Sequence, residues 1–401
     1  MKLFQYEMKK LLLNKSRIIL LAVIFIICTL MGLLSAEGAF VLRKSGDYGE
    51  YLRLVSENAG KLDPEQFAES EAIARATEAV YRKGNEDGFI MYLARNPVQK
   101  FHNEYARFGE RVHEYWNGPE IQDEANIVGV YPIQEKLKEL SDQTDTYEYK
   151  YYKNRLGIEL SIGEPVFANT IFWSNFSLAF DLSRVAFLLL MFVSYIISPV
   201  FTQEVKTDMD SIVLCSLKGR REIVTAKLLS VCATSAIVTA VYLMGMFLGT
   251  YLFTGNISGF DAPARCFTGL TWTTLDMTVG GAAVLGCLWL TLAAMAFGLA
   301  ISLISAKSKN QSAAFGLGVA MILTFSLTGF FLDEMKKMLW PLVDFNYVAL
   351  SGYGSVFGGV KAYNLFGTPA SYGAVAFAVC LVLSLAAALL MYLIQRKRSV
   401  A

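Results

Sequence analysis

The sequence is poor in the residues and motifs that most enzymes use. It has only two histidines, His102 and His113, and without a placed cysteine or carboxylate they make a poor metal site. The six cysteines form no CxxC pair, which argues against a zinc site and a disulfide framework. No P-loop, HExxH or GxSxG motif occurs. We therefore predict that the chain is not an enzyme and has no catalytic residues, no metal and no cofactor.

Charged residues are also scarce, and their scarcity indicates a membrane protein. They make up 18% of the chain against about 25% in soluble domains, whereas 54% of the residues are hydrophobic. The hydrophobic residues gather in runs of about twenty, the length that a helix needs to cross a hydrocarbon core of roughly 30 Å. Helices are expected because lipid offers no partner for free backbone N–H and C=O groups. Six spans are predicted, at residues 18–36, 182–202, 228–253, 277–305, 312–331 and 372–394.

These six spans contain almost no ionisable residues. Ion-coupled transporters normally carry carboxylates near the middle of the membrane, so a secondary transporter and a channel with a charged filter are disfavoured. Small residues are frequent instead, and Gly245 and Gly249 form a GxxxG pattern. Two interpretations of this pattern remain open: close packing within one bundle, or a seam between two copies.

The distribution of charge predicts the orientation of the chain. Residues 37–178 carry 24 acidic and 16 basic side chains, so the remainder is basic. Fifteen lysines and arginines flank the spans on the side of the two termini, and four flank them on the other side. By the positive-inside rule, both termini are cytoplasmic, including a tail at residues 395–401, and residues 37–178 form an extracellular domain.

Residues 1–17 are amphipathic, which is typical of a helix lying on the cytoplasmic membrane surface. The apolar face comprises Phe4, Met8, Leu11 and Leu12. The run at 18–36 favours a retained anchor as the first transmembrane helix, because the apolar core of a signal peptide usually has about 7–15 residues. A cleaved signal peptide is the alternative.

The predicted extracellular domain is mostly α-helical. Asp63 followed by Pro64 is typical of a helix start, and glycines mark the expected helix ends. Three helices are predicted there, at residues 63–83, 98–116 and 132–156. Before the last span, residues 332–371 are too apolar for a free loop and too charged to cross the membrane, so short interfacial helices are expected.

A polar segment between the second and third spans differs from an ordinary connection. Nine of the 24 residues from Glu204 to Lys227 are charged. Its centre is nevertheless apolar and compatible with a helix, at Ile212, Val213 and Leu214. An apolar centre in a charged loop is typical of a docking surface.

The overall layout resembles the type-2 ABC exporter permeases, the membrane subunits of bacterial ABC transporters for drugs, peptides, lipids and polysaccharides. In that family the second span is commonly followed by an acidic residue, a glycine, a leucine-rich stretch, a proline, an arginine and a lysine. Here the matching residues are Glu204, then Ile212, Val213 and Leu214, then Arg220 or Arg221, and Lys227. Two positions depart from the pattern, because Asp208 or Met209 replaces the glycine and Leu217 replaces the proline.

The resemblance implies that residues 203–227, here called the coupling segment, dock into a groove of a separate cytoplasmic ABC ATPase subunit. The apolar residues would fill the groove, and Lys218, Arg220 and Arg221 would pair with acidic residues at its rim. It also implies a second permease subunit, as a homo- or heterodimer, among the lipids of a bacterial plasma membrane. No nucleic-acid partner is expected.

The substrate remains open between a drug, a peptide and a lipid-like molecule, and no substrate-binding residue is predicted. The alternative function is a non-enzymatic membrane receptor or envelope assembly factor whose extracellular domain binds a ligand.

Overall fold

Helices make up nearly all of the regular structure of the chain. The computed structural model describes residues 2–81, 86–119, 127–181, 187–206, 219–327 and 338–397. Within these ranges, the only sheet is a hairpin of two strands. The predicted all-α class is confirmed.

Ten helices are described before residue 181. They are α1 (Lys2–Leu12), α2 (Lys15–Ser35), α3 (Glu37–Lys44), α4 (Tyr48–Glu57), α5 (Pro64–Tyr81), α6 (Glu86–Arg95), α7 (Pro97–Asn117), α8 (Val130–Glu139), α9 (Tyr147–Ile162) and α10 (Ile171–Phe176). The described elements that follow are α11 (Phe187–Ile197), α12 (Pro199–Lys206), α13 (Gly219–Thr254), α14 (Val279–Lys307), α15 (Gln311–Ser326), α16 (Trp340–Asp344), α17 (Tyr347–Ser351), α18 (Tyr353–Phe357), β1 (Ala362–Leu365), β2 (Thr368–Ser371) and α19 (Tyr372–Lys397).

Five candidate spans are long and apolar enough to cross a membrane, which indicates a multi-pass membrane protein. They are Lys15–Ser35, Phe187–Glu204, Glu222–Thr254, Val279–Lys307 and Tyr372–Gln395. The span expected at 312–331 corresponds to α15, whose 16 residues fall short of the roughly 20 that a bilayer requires. Residues 328–331 lie outside the described residues, as do residues 182–186 of the expected second span. Within the described ranges, six spans are therefore not confirmed.

The outermost spans present apolar side chains to their surroundings. Ile19 of α2 is 63% exposed and Leu385 of α19 is 64% exposed, whereas Ile24 on the inner side of α2 is fully buried. Apolar surface of this extent is normally covered, and in a membrane the lipid tails cover it. The burial pattern therefore supports lipid contact at α2 and α19.

Helix α13 packs against α1, α2 and α14 and so lies at the centre of the bundle. Its GxxxG pattern faces α2: a Cβ atom added at Gly249 would lie 2.1 Å from the carbonyl oxygen of Thr29. A Cβ added at Gly245 would lie 2.9 Å from the carbonyl oxygen of Phe25. The two glycines thus permit close packing of two helices within one bundle, which decides between the two interpretations of this pattern.

Residues 37–178 lie between the first two candidate spans and are here called the insert. The insert has its own aromatic core. Phe167 meets three rings of α7, with centroid distances of 5.9, 4.9 and 5.5 Å to Phe101, Tyr105 and Phe108. Phe167 also pairs in antiparallel fashion with Gly60, whose N–H donates to the Phe167 carbonyl at 2.9 Å. These contacts give the insert a core that is separate from that of the bundle.

Two of the three helices predicted in the insert are present as α5 and α7, but the third, predicted at 132–156, is divided into α8 and α9. The division follows from local capping, because the Thr146 side chain accepts from the Tyr149 N–H at 3.3 Å and starts α9. Gly157 does not end α9, which continues to the positive-φ residue Gly163. A glycine inside a helix costs only about 1 kcal/mol, so it does not by itself end the helix.

Short helices before the last span were predicted and are present as α16, α17 and α18, whereas the β1–β2 hairpin was not predicted. Both turn residues, Phe366 and Gly367, have positive φ, at 51° and 82°, as a two-residue hairpin turn requires. Asp344 connects the hairpin to α16, accepting from Lys361 Nζ and from the Tyr363 hydroxyl, each at 2.6 Å. The part of the predicted region before residue 338 lies outside the described residues.

Candidate functional site

The two ends of the coupling segment meet in an ion pair. Lys227 Nζ lies 2.6 Å from Glu204 Oε1, although the two residues are 23 positions apart in the sequence. Glu204 is near the end of α12 and Lys227 is in the third turn of α13. The structure therefore brings together the predicted coupling residues at the two ends of the matched pattern.

The other predicted coupling residues have no described side chains. Arg220 and Arg221 are in the first turn of α13, where only the backbone is described. The remaining four lie outside the described residues: Ile212, Val213, Leu214 and Lys218.

Lys227 is buried and uses its full capacity as a donor. Its side chain is 1% exposed, and besides Glu204 it reaches Glu7 Oε2 at 3.2 Å and the Val200 carbonyl at 2.9 Å. The ammonium group also lies 5.1 Å from the centre of the Phe201 ring. An ammonium has three N–H donors, and a buried charge is tolerated only when it is paired in this way.

Helix α1 supplies half of the charges at this site. Glu7 pairs with Lys227, and Lys10 Nζ lies 3.1 Å from Glu204 Oε1. Two cations thus face two carboxylates, and three helices are joined. We call Glu7, Lys10, Glu204 and Lys227 the ion cluster.

A break in the second candidate span positions the carbonyl that Lys227 contacts. Helix α11 ends at Ile197, and Pro199 starts α12, because proline lacks the N–H that would continue the preceding helix. Ser305 of α14 bridges the break: its hydroxyl donates to the Ser198 carbonyl at 2.7 Å and accepts from the Phe201 N–H at 3.2 Å. Such side-chain bonds are the usual way of satisfying interrupted backbone inside a membrane.

Helix α1 docks on the bundle through its apolar face. Leu11 and Leu12 are 1% and 4% exposed, and the Thr234 hydroxyl of α13 lies 3.8 Å from the sulfur of Met8. The helix ends at Leu12 rather than at residue 17, and α2 begins at Lys15 because the Asn14 side chain accepts from the Arg17 N–H. A helix is present in the predicted amphipathic region and packs against α13, and its position on the membrane surface stays a prediction.

Sequence reasoning missed Glu7 and Lys10. Glu7 is the only acidic residue among residues 1–17, and it lies four residues before Leu11 on the same helical face. A lone carboxylate on an apolar face indicates a buried partner, and that signal was available. The identity of the partner, 220 residues away, was not.

A single helix connects the ion cluster to the insert. Helix α13 has 36 residues and so extends about 54 Å at 1.5 Å per residue. At its far end, Arg43 Nη1 of α3 donates to the Leu252 carbonyl at 3.4 Å, and the Phe40 and Phe253 rings stack with centroids 4.5 Å apart. A displacement of the first turn of α13 would therefore reach α3 through one continuous element.

A second buried ion group attaches the insert to the loop between α13 and α14. Glu159 of α9 pairs with Arg155, and its other oxygen lies 2.6 Å from Arg265 Nη1. Arg265 also donates to the carbonyls of Gly163 and Thr273, at 3.1 and 3.2 Å. Burial lowers the pKa of Arg155 from its usual value, and the Glu159 charge opposes that effect. The group fixes α9 to the bundle.

Comparisons with protein-family models, with curated proteins and with solved structures find no match to this chain. The resemblance to type-2 ABC exporter permeases therefore stays a prediction from the layout and the coupling segment.

Proposed function

We propose that this chain is the permease subunit of an ATP-driven ABC exporter and that a separate cytoplasmic subunit hydrolyses ATP. The observation that supports it is the ion cluster around the buried Lys227, which joins the two ends of the coupling segment. Any protein that pushes on an anchored segment moves the helices to which the segment is fixed.

The ion cluster determines which helices would move together. Glu204 belongs to α12, Lys227 to α13, and Glu7 and Lys10 to α1, so a load on the segment is shared by all three. Without the pair between Glu204 and Lys227, the two ends of the segment would separate under load. An anchored segment transmits displacement, whereas a free loop absorbs it.

The same displacement has a route to the other side of the membrane. Helix α13 is continuous from Gly219 to Thr254 and packs against α2 through Gly245 and Gly249. Its far end contacts α3 at the start of the insert. In the proposed cycle, closure of the ATPase on the coupling segment tilts α13 and α2 as one unit and changes the outward opening.

The proposal includes a second permease subunit in a bacterial plasma membrane, with both termini cytoplasmic and the insert outside. The GxxxG surface of α13 is occupied by α2, so the dimer would use another face. The exported molecule would be a drug, a peptide or a lipid-like compound.

To test the proposal, the full-length chain is isolated from native membranes in mild detergent, and the rate of ATP hydrolysis by the isolated material is measured. We expect hydrolysis with the wild-type chain and with Ser211→Asp, a control that adds the same charge at a polar position of the segment. We expect Leu214→Asp to lose it, because a charge in an apolar groove carries a large desolvation cost. Equal hydrolysis with Leu214→Asp, or none with the wild type, would contradict the proposal.

A receptor or assembly factor would give a different result. In that case the isolated material does not hydrolyse ATP, and the insert alone binds the ligand.

A further inference from the structure

A cavity of about 360 Å³ lies where the insert meets the bundle. Its walls come from the end of α2 and the start of α3, from α4, α6 and α7, from the residues before and within α10, and from Cys266 in the loop between α13 and α14. Ser35, the last residue of the first candidate span, is at its edge. The cavity therefore lies beside the end of a candidate span, where a bilayer crossed by that span would place its lipid headgroups.

One face of α7 lines the cavity with charged side chains, at Lys100, Glu104, Arg107 and Arg111. Their spacing of four, three and four residues places them on the same side of the helix. Glu104 is already neutralised, because Lys100 Nζ lies 2.7 Å from its carboxylate and the Tyr51 hydroxyl donates to it at 2.6 Å. The remaining charge in the cavity is that of two guanidinium groups.

Arg107 and Arg111 form no ion pair within the part of the chain that the structure describes. The Nε of Arg111 is buried there without a hydrogen-bond partner. Burial also lowers the pKa of Arg111, with Cys266, Glu104 and Glu114 opposing the effect more weakly. A guanidinium stays charged at any relevant pH, and a desolvated one gains from an anionic partner.

The rest of the cavity wall is part polar and part apolar. Polar side chains line it at Ser35, Thr170, Ser174 and Asn175. Hydrocarbon surface comes from Ala39, Val55, Ala94, Phe167, Ala168 and Ile171. Ile90 also lines the cavity and is 61% exposed at its mouth. A small inorganic anion would use the arginines and leave this apolar wall unoccupied, whereas an amphiphile would use both surfaces.

We propose that this cavity binds an anionic amphiphile from the membrane, with a phosphate headgroup at Arg107 and Arg111 and an apolar chain that follows the wall towards α2. The headgroup replaces the missing counter-charge of Arg111, and the chain covers the apolar wall. The evidence for this site is the cavity itself, and the site does not depend on the proposed transport function.

The experiment measures ligand binding to the purified full-length protein in an uncharged detergent by native mass spectrometry and thermal shift. The probes are a short-chain phosphatidylglycerol, a phosphatidylcholine of the same chain length, and inorganic phosphate. We expect phosphatidylglycerol to bind, phosphatidylcholine to bind more weakly, and inorganic phosphate to compete only at far higher concentration. Inorganic phosphate that binds as well as phosphatidylglycerol would overturn the amphiphile and leave a simple anion site.

The double variant Arg107→Gln with Arg111→Gln removes both positive charges from the cavity. It should weaken phosphatidylglycerol binding by about tenfold or more, because charge-assisted hydrogen bonds are lost. The matched control is Arg53→Gln with Arg75→Gln, which removes two charges from exposed ion pairs outside the cavity. Arg107→Lys with Arg111→Lys should restore most of the binding. Equal binding by the first pair and its control would overturn the proposal.

A second variant covers the case in which the arginines are needed for folding. Ile90→Glu changes an exposed position, so the fold should persist, and it places a carboxylate at the apolar mouth of the cavity. We expect it to weaken phosphatidylglycerol binding by roughly tenfold through charge repulsion and loss of apolar contact. Unchanged binding in a folded Ile90→Glu protein would also overturn the proposal.

Discussion

Lys227 of α13 and Glu204 of α12 lie 2.6 Å apart in an ion pair whose lysine is buried and whose carboxylate is half-buried, and the pair joins the two ends of the coupling segment. Glu7 and Lys10 complete the pairing from α1, at 3.2 and 3.1 Å. The two ends of the segment are thereby fixed to each other and to α1.

Lys227→Met should destabilise the protein strongly, because it leaves the carboxylates of Glu7 and Glu204 without their shared cation. Breaking a buried pair typically costs about 3–5 kcal/mol. Thermal unfolding in detergent should show a lower Tm for Lys227→Met, a smaller loss for Lys227→Arg, and partial recovery when Glu204→Gln is added. A wild-type Tm in Lys227→Met would show that the ion cluster does not anchor the segment.

Gly249→Ala should disturb the contact between α13 and α2. The added Cβ would meet the Thr29 carbonyl oxygen at 2.1 Å, so backbone must move, and overpacking of this kind costs roughly 1–3 kcal/mol. Gly316→Ala is the matched control, since its Cβ would meet no atom within 4 Å. Thermal unfolding should separate the two variants, and equal stability would argue against a close approach of the helices at Gly249.

Glu159→Gln should loosen the attachment of α9 to the bundle, since it removes the carboxylate between Arg155 and Arg265. A cost of about 3–5 kcal/mol is typical when a buried pair loses one member. Glu139→Gln is the control, because the Glu139 side chain is 67% exposed and its pair with Lys136 should contribute only about 0–1 kcal/mol. Amide hydrogen exchange in α9 should be faster in Glu159→Gln than in Glu139→Gln. Equal protection in both variants would show that the ion group of Arg155, Glu159 and Arg265 does not hold α9 to the bundle.

Acidification should destabilise the insert through His102. Its Nδ1 lies 3.0 Å from the Ser70 hydroxyl, and burial lowers its pKa below the ordinary 6.5, against a weaker opposing effect of Glu69. The unfolded chain takes up a proton as the pH falls through 6.5 while the folded chain resists it, so stability decreases in that direction.

The measurement is the Tm of wild type, His102→Gln and His113→Gln between about pH 8 and pH 5, where histidine is the residue that ordinarily titrates. His102→Gln should reduce the loss of Tm on acidification, whereas His113→Gln, at an exposed position, should retain it. The same acid sensitivity in His102→Gln would assign the effect to another group.

The apolar runs were sufficient to predict the membrane-spanning character because crossing a bilayer sets a length and a composition that are local in sequence. The same locality explains the correct placement of α5 and α7. Prediction from local sequence was wrong where short-range signals compete. One helix was expected at 132–156, but the Thr146 cap divides it into α8 and α9, and Gly157 is tolerated inside α9. For α15, composition indicates a full span. The described helix has 16 residues and residues 328–331 lie outside the described part of the chain, so this span stays a prediction.

The ion cluster was only half predictable. Glu204 and Lys227 matched positions of a family pattern, but their contact depends on how α12 and α13 pack. Glu7 and Lys10 join them only because α1 docks on α13. The cavity was beyond sequence reasoning for the same reason, since its walls come from six separate helices and from connecting segments.

Docking of an ABC ATPase on the coupling segment can be measured through Cys215, which lies in the apolar centre of that segment. A thiol-reactive photo-crosslinker placed on Cys215 in native membranes should capture the protein in contact with the segment, for identification by mass spectrometry. We expect an adduct with a P-loop ATPase that disappears in Cys215→Ser. Adducts that contain no ATPase, or that persist in Cys215→Ser, would contradict it.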